Sequence, residues 1–218
     1  MFRKALLLFV ALSVSALTLH GQAKPISFEE FLTSRSFAIN KTKGQSHRMS
    51  KIQEEYRDDK LIRRDEFVYE YSLPERFRYF HREKSGNDDR RIELIQISNI
   101  FNCRVDEGDW IQSISWCADL DQPPGTGINL KHEETVEDVQ FQGINARLFH
   151  SFGKITNLRN SGMKRPFSYF DDKFWLNSDG CMLREESWRK SEDGKELNIT
   201  SNDTYEYGLK IIIDAPLQ

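Results

Sequence analysis

Glu66-Phe67-Val68-Tyr69-Glu70-Tyr71-Ser72-Leu73-Pro74-Glu75-Arg76-Phe77-Arg78-Tyr79 sets the fold class of this chain. Phe67, Tyr69, Tyr71 and Leu73 alternate with Glu66, Val68, Glu70 and Ser72, which is the period of a strand with one aromatic and one wetter face. Pro74 ends the run, and Phe77 and Tyr79 resume the alternation against Arg76 and Arg78. Two such runs so close together read as antiparallel neighbours.

Outward from this stretch the same period recurs. Ser85-Gly86-Asn87-Asp88, Asp106-Glu107-Gly108-Asp109, Asn177-Ser178-Asp179-Gly180 and Ser191-Glu192-Asp193-Gly194 supply residues that tolerate the positive φ of tight hairpins. The flanking runs are Arg91 to Ile97, Trp110 to Trp116, Ala146 to Phe152, Phe167 to Leu176, Cys181 to Trp188 and Leu209 to Ile213. The expectation is a meander of about ten strands, mostly antiparallel, in an α+β fold. Its helix lies near the N-terminus. Ser27 precedes Glu30 by the three residues of a capping box, Phe28, Phe31 and Leu32 share one face, and Gly44 marks the end, so a short helix runs from about Phe28 to about Ile39. The longest stretch without periodicity is Cys117 to Lys131, around Pro123-Pro124-Gly125-Thr126-Gly127.

Arg3 and Lys4 open the chain, Ala5 to Leu19 form an apolar run, and Gly21 and Ala23 stand where signal peptidase requires small residues. The run is shorter than the ~20 residues of a membrane span. Residues 1–23 therefore read as a cleaved signal peptide and 24–218 as one β-rich domain, periplasmic or secreted. Loss of Arg3 and Lys4 with the leader takes the formal net charge from −3 to −5. That balance disfavours nucleic acid as a partner. A mean hydropathy of −0.64 excludes a multi-span membrane protein. In an oxidising compartment the three cysteines, Cys103, Cys117 and Cys181, leave at least one thiol unpaired or shared between molecules, and spacing does not choose among the three single bridges.

No catalytic motif stands out: the chain has no Gly-x-Ser-x-Gly, His-Glu-x-x-His, P-loop or Gly-x-Gly-x-x-Gly. His132, Glu133 and Glu134 are consecutive, and alternation sends neighbours on a strand to opposite faces, so they do not converge on one metal. The expectation is a non-enzyme without metal or cofactor. Arg76, Arg78, Arg82, Lys84, Arg90 and Arg91 are interleaved with Glu75, Glu83, Asp88, Asp89 and Glu93, the pattern of a locally neutralised sheet face.

Several segments together resemble the LolA-like superfamily of periplasmic lipoprotein carriers. An exported chain opens with an amphipathic helix and continues into strands. Pro74-Glu75-Arg76-Phe77-Arg78 is similar to the family's Pro-x-basic-x-basic segment. Asp106-Glu107-Gly108-Asp109-Trp110 is similar to its Asp-Gly…Trp hairpin, and Trp175 to Glu186 to its Trp…Gly…basic-x-Glu hairpin. Tyr205-Glu206-Tyr207 with Leu209 to Pro216 is similar to its closing strand. The resemblance implies a curved, incomplete β-barrel with the helix against an apolar concave side that holds acyl chains. Phe67, Tyr69, Tyr71, Phe77, Tyr79, Trp110 and Trp175 are the cavity-lining residues it points to. The implied ligand is the acyl chain of a lipid or lipoprotein, with an envelope protein as a further partner. The alternative is an envelope-stress sensor or protein-interaction module on the same scaffold.

Overall fold

The computed structural model describes residues 22–113, 129–156, 168–192 and 197–216. Strand β1 (Lys24–Ile26) leads into helix α1 (Phe28–Lys43). There follow β2 (His47–Arg57), β3 (Lys60–Ser72), β4 (Arg76–Ser85), β5 (Asp88–Ile97), β6 (Ile100–Val105) and β7 (Ile111–Ser113). The remainder are β8 (Asn129–Phe141), β9 (Ile144–Thr156), β10 (Tyr169–Leu176), β11 (Met182–Lys190) and β12 (Asn198–Tyr207). All twelve strands belong to one open antiparallel sheet, in the order β1-β8-β9-β10-β11-β12-β2-β3-β4-β5-β6-β7.

The fold class is as expected, an open antiparallel sheet with one helix. The topology is not a single meander. Two meanders, β2–β7 and β8–β12, are joined by the β12–β2 pair, which brings the end of the chain beside its beginning. The Leu209 to Ile213 run is not a strand: it follows β12 as an extended tail. Strand β7 keeps only Ile111–Ser113 of the Trp110 to Trp116 run, whose last three residues lie outside the described ones.

Helix α1 begins as its cap dictates. Ser27 Oγ accepts from the Glu30 N–H at 3.1 Å, and Glu29 and Glu30 occupy the positive end of the helix dipole. It runs on to Lys43, four residues beyond the expected Ile39, and is capped by Gly44, with Lys41 and Lys43 in the last turn. Phe31 and Ala38 are its buried face, packed on Phe149, Phe174, Leu176 and Met182 of β9–β11.

Paired residues of antiparallel strands share a face, so the registers trace rows across the sheet. One row runs Val136, Phe149, Phe174, Glu185, Asp203, Lys51, Phe67, His81, Ile92 and Val105. A second runs Tyr205, Met49, Tyr69, Tyr79, Leu94, Cys103 and Ile111. This inner face carries both the helix and the aromatic run of β3 and β4. Close approach of β8 and β9 requires Gly153: a Cβ there would sit 2.1 Å from the Lys131 carbonyl oxygen.

Candidate functional site: an aromatic wall and its cavity

The inner face has three zones. Over β8–β10 it is apolar and roofed by α1; Phe174 stacks on Phe149 at 4.7 Å and tilts against Phe31 at 5.1 Å. Over β11, β12 and β2 one row is charged, while the next, through Tyr205 and Met49, is not. Arg35 of the helix donates to Glu185 from Nε at 2.8 Å, and Arg189 donates to Asp172 at 2.6 and 2.9 Å. A cavity of about 310 Å³ lies here, walled by these groups with Lys51, Asp203, Phe31 and Phe170. Burial pushes the Glu185 carboxyl up against the opposing pull of Arg35, and burial likewise raises Asp203. The expected wholly apolar concave side is thus interrupted by a charged seam.

Beyond the seam, β3–β6 form the third zone. Phe67, Tyr69, Tyr71, Phe77 and Tyr79 come together as expected from their alternation. Tyr71 lies 4.8 Å from Phe77, Tyr69 5.0 Å from Tyr79, and Phe67 6.4 Å from Tyr79. Two histidines that sequence reading left aside extend the array: His47 stacks on Tyr71 at 4.6 Å and His81 on Phe67 at 4.4 Å. Phe77, Tyr79, Leu94 and Cys103 are buried; Phe67, Tyr69, Tyr71, Ile92 and Phe101 are half-buried against them. Burial raises the Tyr69 and Tyr71 phenols and pushes Tyr79 up to about 12, so the three phenols are neutral. His47 is held below its ordinary value by burial, and its Nδ1 donates to the Gln45 carbonyl at 2.8 Å.

Trp110 and Trp175 do not join this wall. Trp175 lies between Phe174 and Leu176, which face inward, so alternation turns it outward, 5.7 Å from Phe141. Trp110 precedes β7 and lies under the guanidinium of Arg104, which pairs with Glu93 at 2.8 Å on the outer face.

At the β3–β4 end the wall opens into a cavity of about 460 Å³. Tyr71, Leu73 and Phe77 form its apolar side, and Lys43, Arg76 and Gln96 its polar side. The polar group comes from the helix end, β4 and β5, segments that no spacing pattern links.

Three of the basic cluster find acids, but only Arg82 finds one from the interleaved run; Glu70 and Asp214 come from outside it. Arg78 pairs with Glu70 at 3.1 Å, Arg82 pairs with Asp89, and Arg76 lies 3.7 Å from Asp214. His132 and Glu134 share a face, as alternation requires. His132 Nδ1 lies 2.7 Å from Glu134 Oε1, and Ser151 Oγ donates to that same oxygen at 2.9 Å. Both groups address the carboxylate and not each other, so the histidine is not placed as a base for the serine. Cys103 is disulfide-bonded, its partner outside the described residues, and Cys181 is a buried free thiol.

No family model and no curated protein matches the chain. Two solved structures are similar to it. A DUF1329 family protein from Desulfovibrio piger is 6% identical, with 84% of this chain and 94% of that one covered and a TM-score of 0.33. A structure described as an outer membrane lipoprotein-sorting protein domain, from Vibrio parahaemolyticus, is 10% identical over 84% and 94%, with a TM-score of 0.30. At these scores neither likeness bears on function, and the reading below rests on the site.

Proposed function

We propose that this protein is an exported, non-catalytic binder of apolar chains, holding the acyl chain of a lipid or lipoprotein against the aromatic wall of β3–β6. The observation that carries the reading is the cavity of about 460 Å³ whose apolar side is Tyr71, Leu73 and Phe77, continuous with half-buried Tyr69 and Phe67. Its volume falls in the range of about 300–1,000 Å³ usual for small-ligand sites. Each buried methylene contributes about 0.8 kcal/mol, so a ~16-carbon chain offers ~12 kcal/mol gross. That exceeds several kcal/mol of association cost without any directional contact. Lys51 Nζ stands 5.9 Å from the Phe67 centroid and His81 meets the buried Asp65 at 3.0 Å, so the stretch of wall clear of charge is Tyr69, Tyr71 and Phe77.

Export is part of the same proposal. Residues 1–21 lie outside the described ones, and no described helix is long and apolar enough to cross a membrane. The protein is expected to begin near Lys24 when recovered from the medium or periplasm. Mass spectrometry of an organic extract of protein purified from that compartment tests the binding. A fatty-acyl species near one per chain is expected. Extracts free of lipid, from protein that also takes up no apolar probe, would leave an interaction module on the same scaffold as the better description.

A further inference from the structure

The chain after β12 turns at Gly208, whose φ is +72°, and runs as an extended tail without strand pairing. Side chains of β3 and β4 hold it by three successive carbonyls. Ser72 Oγ donates to Ile211 at 3.2 Å, Arg78 Nη2 to Ile212 at 3.3 Å and Arg76 Nη1 to Ile213 at 2.7 Å. Ile213 is fully buried, which anchors the tail, while Ile212 beside it is exposed. Ser72 and Arg76 are at the same time walls of the 460 Å³ cavity.

Arg76 is thereby fixed in a particular way. Both of its contacts, to the Ile213 carbonyl and to Asp214 Oδ1 at 3.7 Å, use Nη1. Nε and Nη2 have no partner among the described residues, and the side chain is 47% exposed. An arginine with one edge tethered and the Nε–Nη2 edge unspent offers the fork that matches a carboxylate or phosphate. Lys43 adds a second cation to the cavity wall, and Glu75 is the acid that lines it.

Building on the acyl-chain reading, we infer that the cavity takes an amphiphile with an anionic, oxyanion head, gripped by the free edge of Arg76 with Lys43 beside it, and that the C-terminal tail is the strap that positions Arg76. The apolar chain lies on Tyr71 and Phe77 of the inner face, and the head reaches round the β3–β4 turn to Arg76, which the register pairs with Ser72 on the opposite face. Carboxylate and phosphate heads share this chemistry.

The test is a set of equilibrium titrations with fluorescent palmitic acid, its methyl ester, and a fluorescent lysophosphatidic acid of equal chain length. The wild type is expected to bind the acid about tenfold more tightly than the ester, the worth of one charge-assisted bidentate contact. The lysophosphatidic acid distinguishes the two sources: tighter binding than the acid assigns a phosphate head, weaker binding a carboxylate. Arg76→Gln is expected to abolish the preference with the ester unaffected. Arg82→Gln, paired to Asp89 away from the cavity, serves as control and should leave all three affinities unchanged. Ile213→Ala, which loosens the strap without touching the cavity, is expected to lower acid affinity severalfold and spare the ester.

Equal binding of acid and ester by the wild type overturns the inference while leaving the acyl-chain reading intact. So does an Arg76→Gln variant that loses both probes alike. Failure of the wild type to bind any probe overturns both. Unchanged or tighter acid binding by Ile213→Ala removes the strap from the account.

Discussion

The two flanks of the inner face bury their rings by different means. Over β9 and β10, Phe149 and Phe174 are covered by a helix, and Phe174 retains 1% of its exposure. Over β3, Phe67, Tyr69 and Tyr71 rest largely on one another and on the buried rings of β4, and remain half-exposed. Between the flanks the charged row of Glu185, Asp203 and Lys51, with Arg35, separates Phe174 from Phe67, while beside it Tyr205, packed on the helix-side cluster, and His47 carry ring contacts across to Tyr71. The same period-two pattern thus makes a core on one flank and an accessible wall on the other. Alternation says which side chains share a face; whatever packs over that face decides whether they are structure or site.

The strongest way to break this contrast is to truncate one ring on each flank. Phe174→Ala should cost about 3–5 kcal/mol in urea unfolding, because a filled site under the helix becomes a cavity. Tyr71→Ala should cost less, about 1–2 kcal/mol, because a half-exposed ring gives up only part of its burial and leaves no closed cavity. Equal losses would make the aromatic wall a second core.

The seam gives a smaller effect with a pH signature. Arg35→Ala removes the partner of a buried carboxylate and should destabilise by about 1–3 kcal/mol near pH 7. Burial already raises Glu185, and removing Arg35 removes the group that opposes the rise. A carboxyl raised in the folded state stabilises below its unfolded value and loses that contribution as pH increases through the folded one. The deficit of Arg35→Ala, followed by urea midpoints, should therefore shrink as pH falls toward about 4. A pH-independent deficit would assign the loss to packing of the arginine stem.

The smallest expected signal is chemical. With Cys103 bridged and Cys181 free and fully buried, thiol titration of unreduced protein should give one thiol per chain in denaturant and none promptly in the native state. Three thiols would remove the bridge on the inner face.

Local signals in the sequence locate most elements. The Ser27–Glu30 spacing and Gly44 bound the helix, and residues 66–79 place β3 and β4 with the right face inward. Strand β8 was hidden because its inward residues include His132 and Glu134, polar types, with the buried Glu134 carboxylate held by Ser151 seventeen residues on. The seam was equally silent: Lys51, Glu185 and Asp203 meet only through the β11–β12–β2 pairings. Ile211-Ile212-Ile213 imitates a strand, yet only Ile213 is fully buried and the chain has left the sheet at Gly208. Trp175 is the instructive case, since its parity against Phe174 already placed it on the opposite face. The cavity's polar side was beyond reach, because the β4–β5 register sets Arg76 near Gln96 while Lys43 arrives from the end of the helix.

The most direct test of the central claim sets the two faces of β3 against each other. Tyr71→Asp puts a carboxylate on the inner wall, where an acyl chain would lie. Val68→Asp puts the same charge on the outer face of the same strand. Both variants are titrated with a fluorescent fatty acid after their unfolding midpoints confirm a folded protein. The account predicts loss of binding by Tyr71→Asp and retention by Val68→Asp. Wild-type-like binding by Tyr71→Asp, or equal loss in both variants, would contradict it.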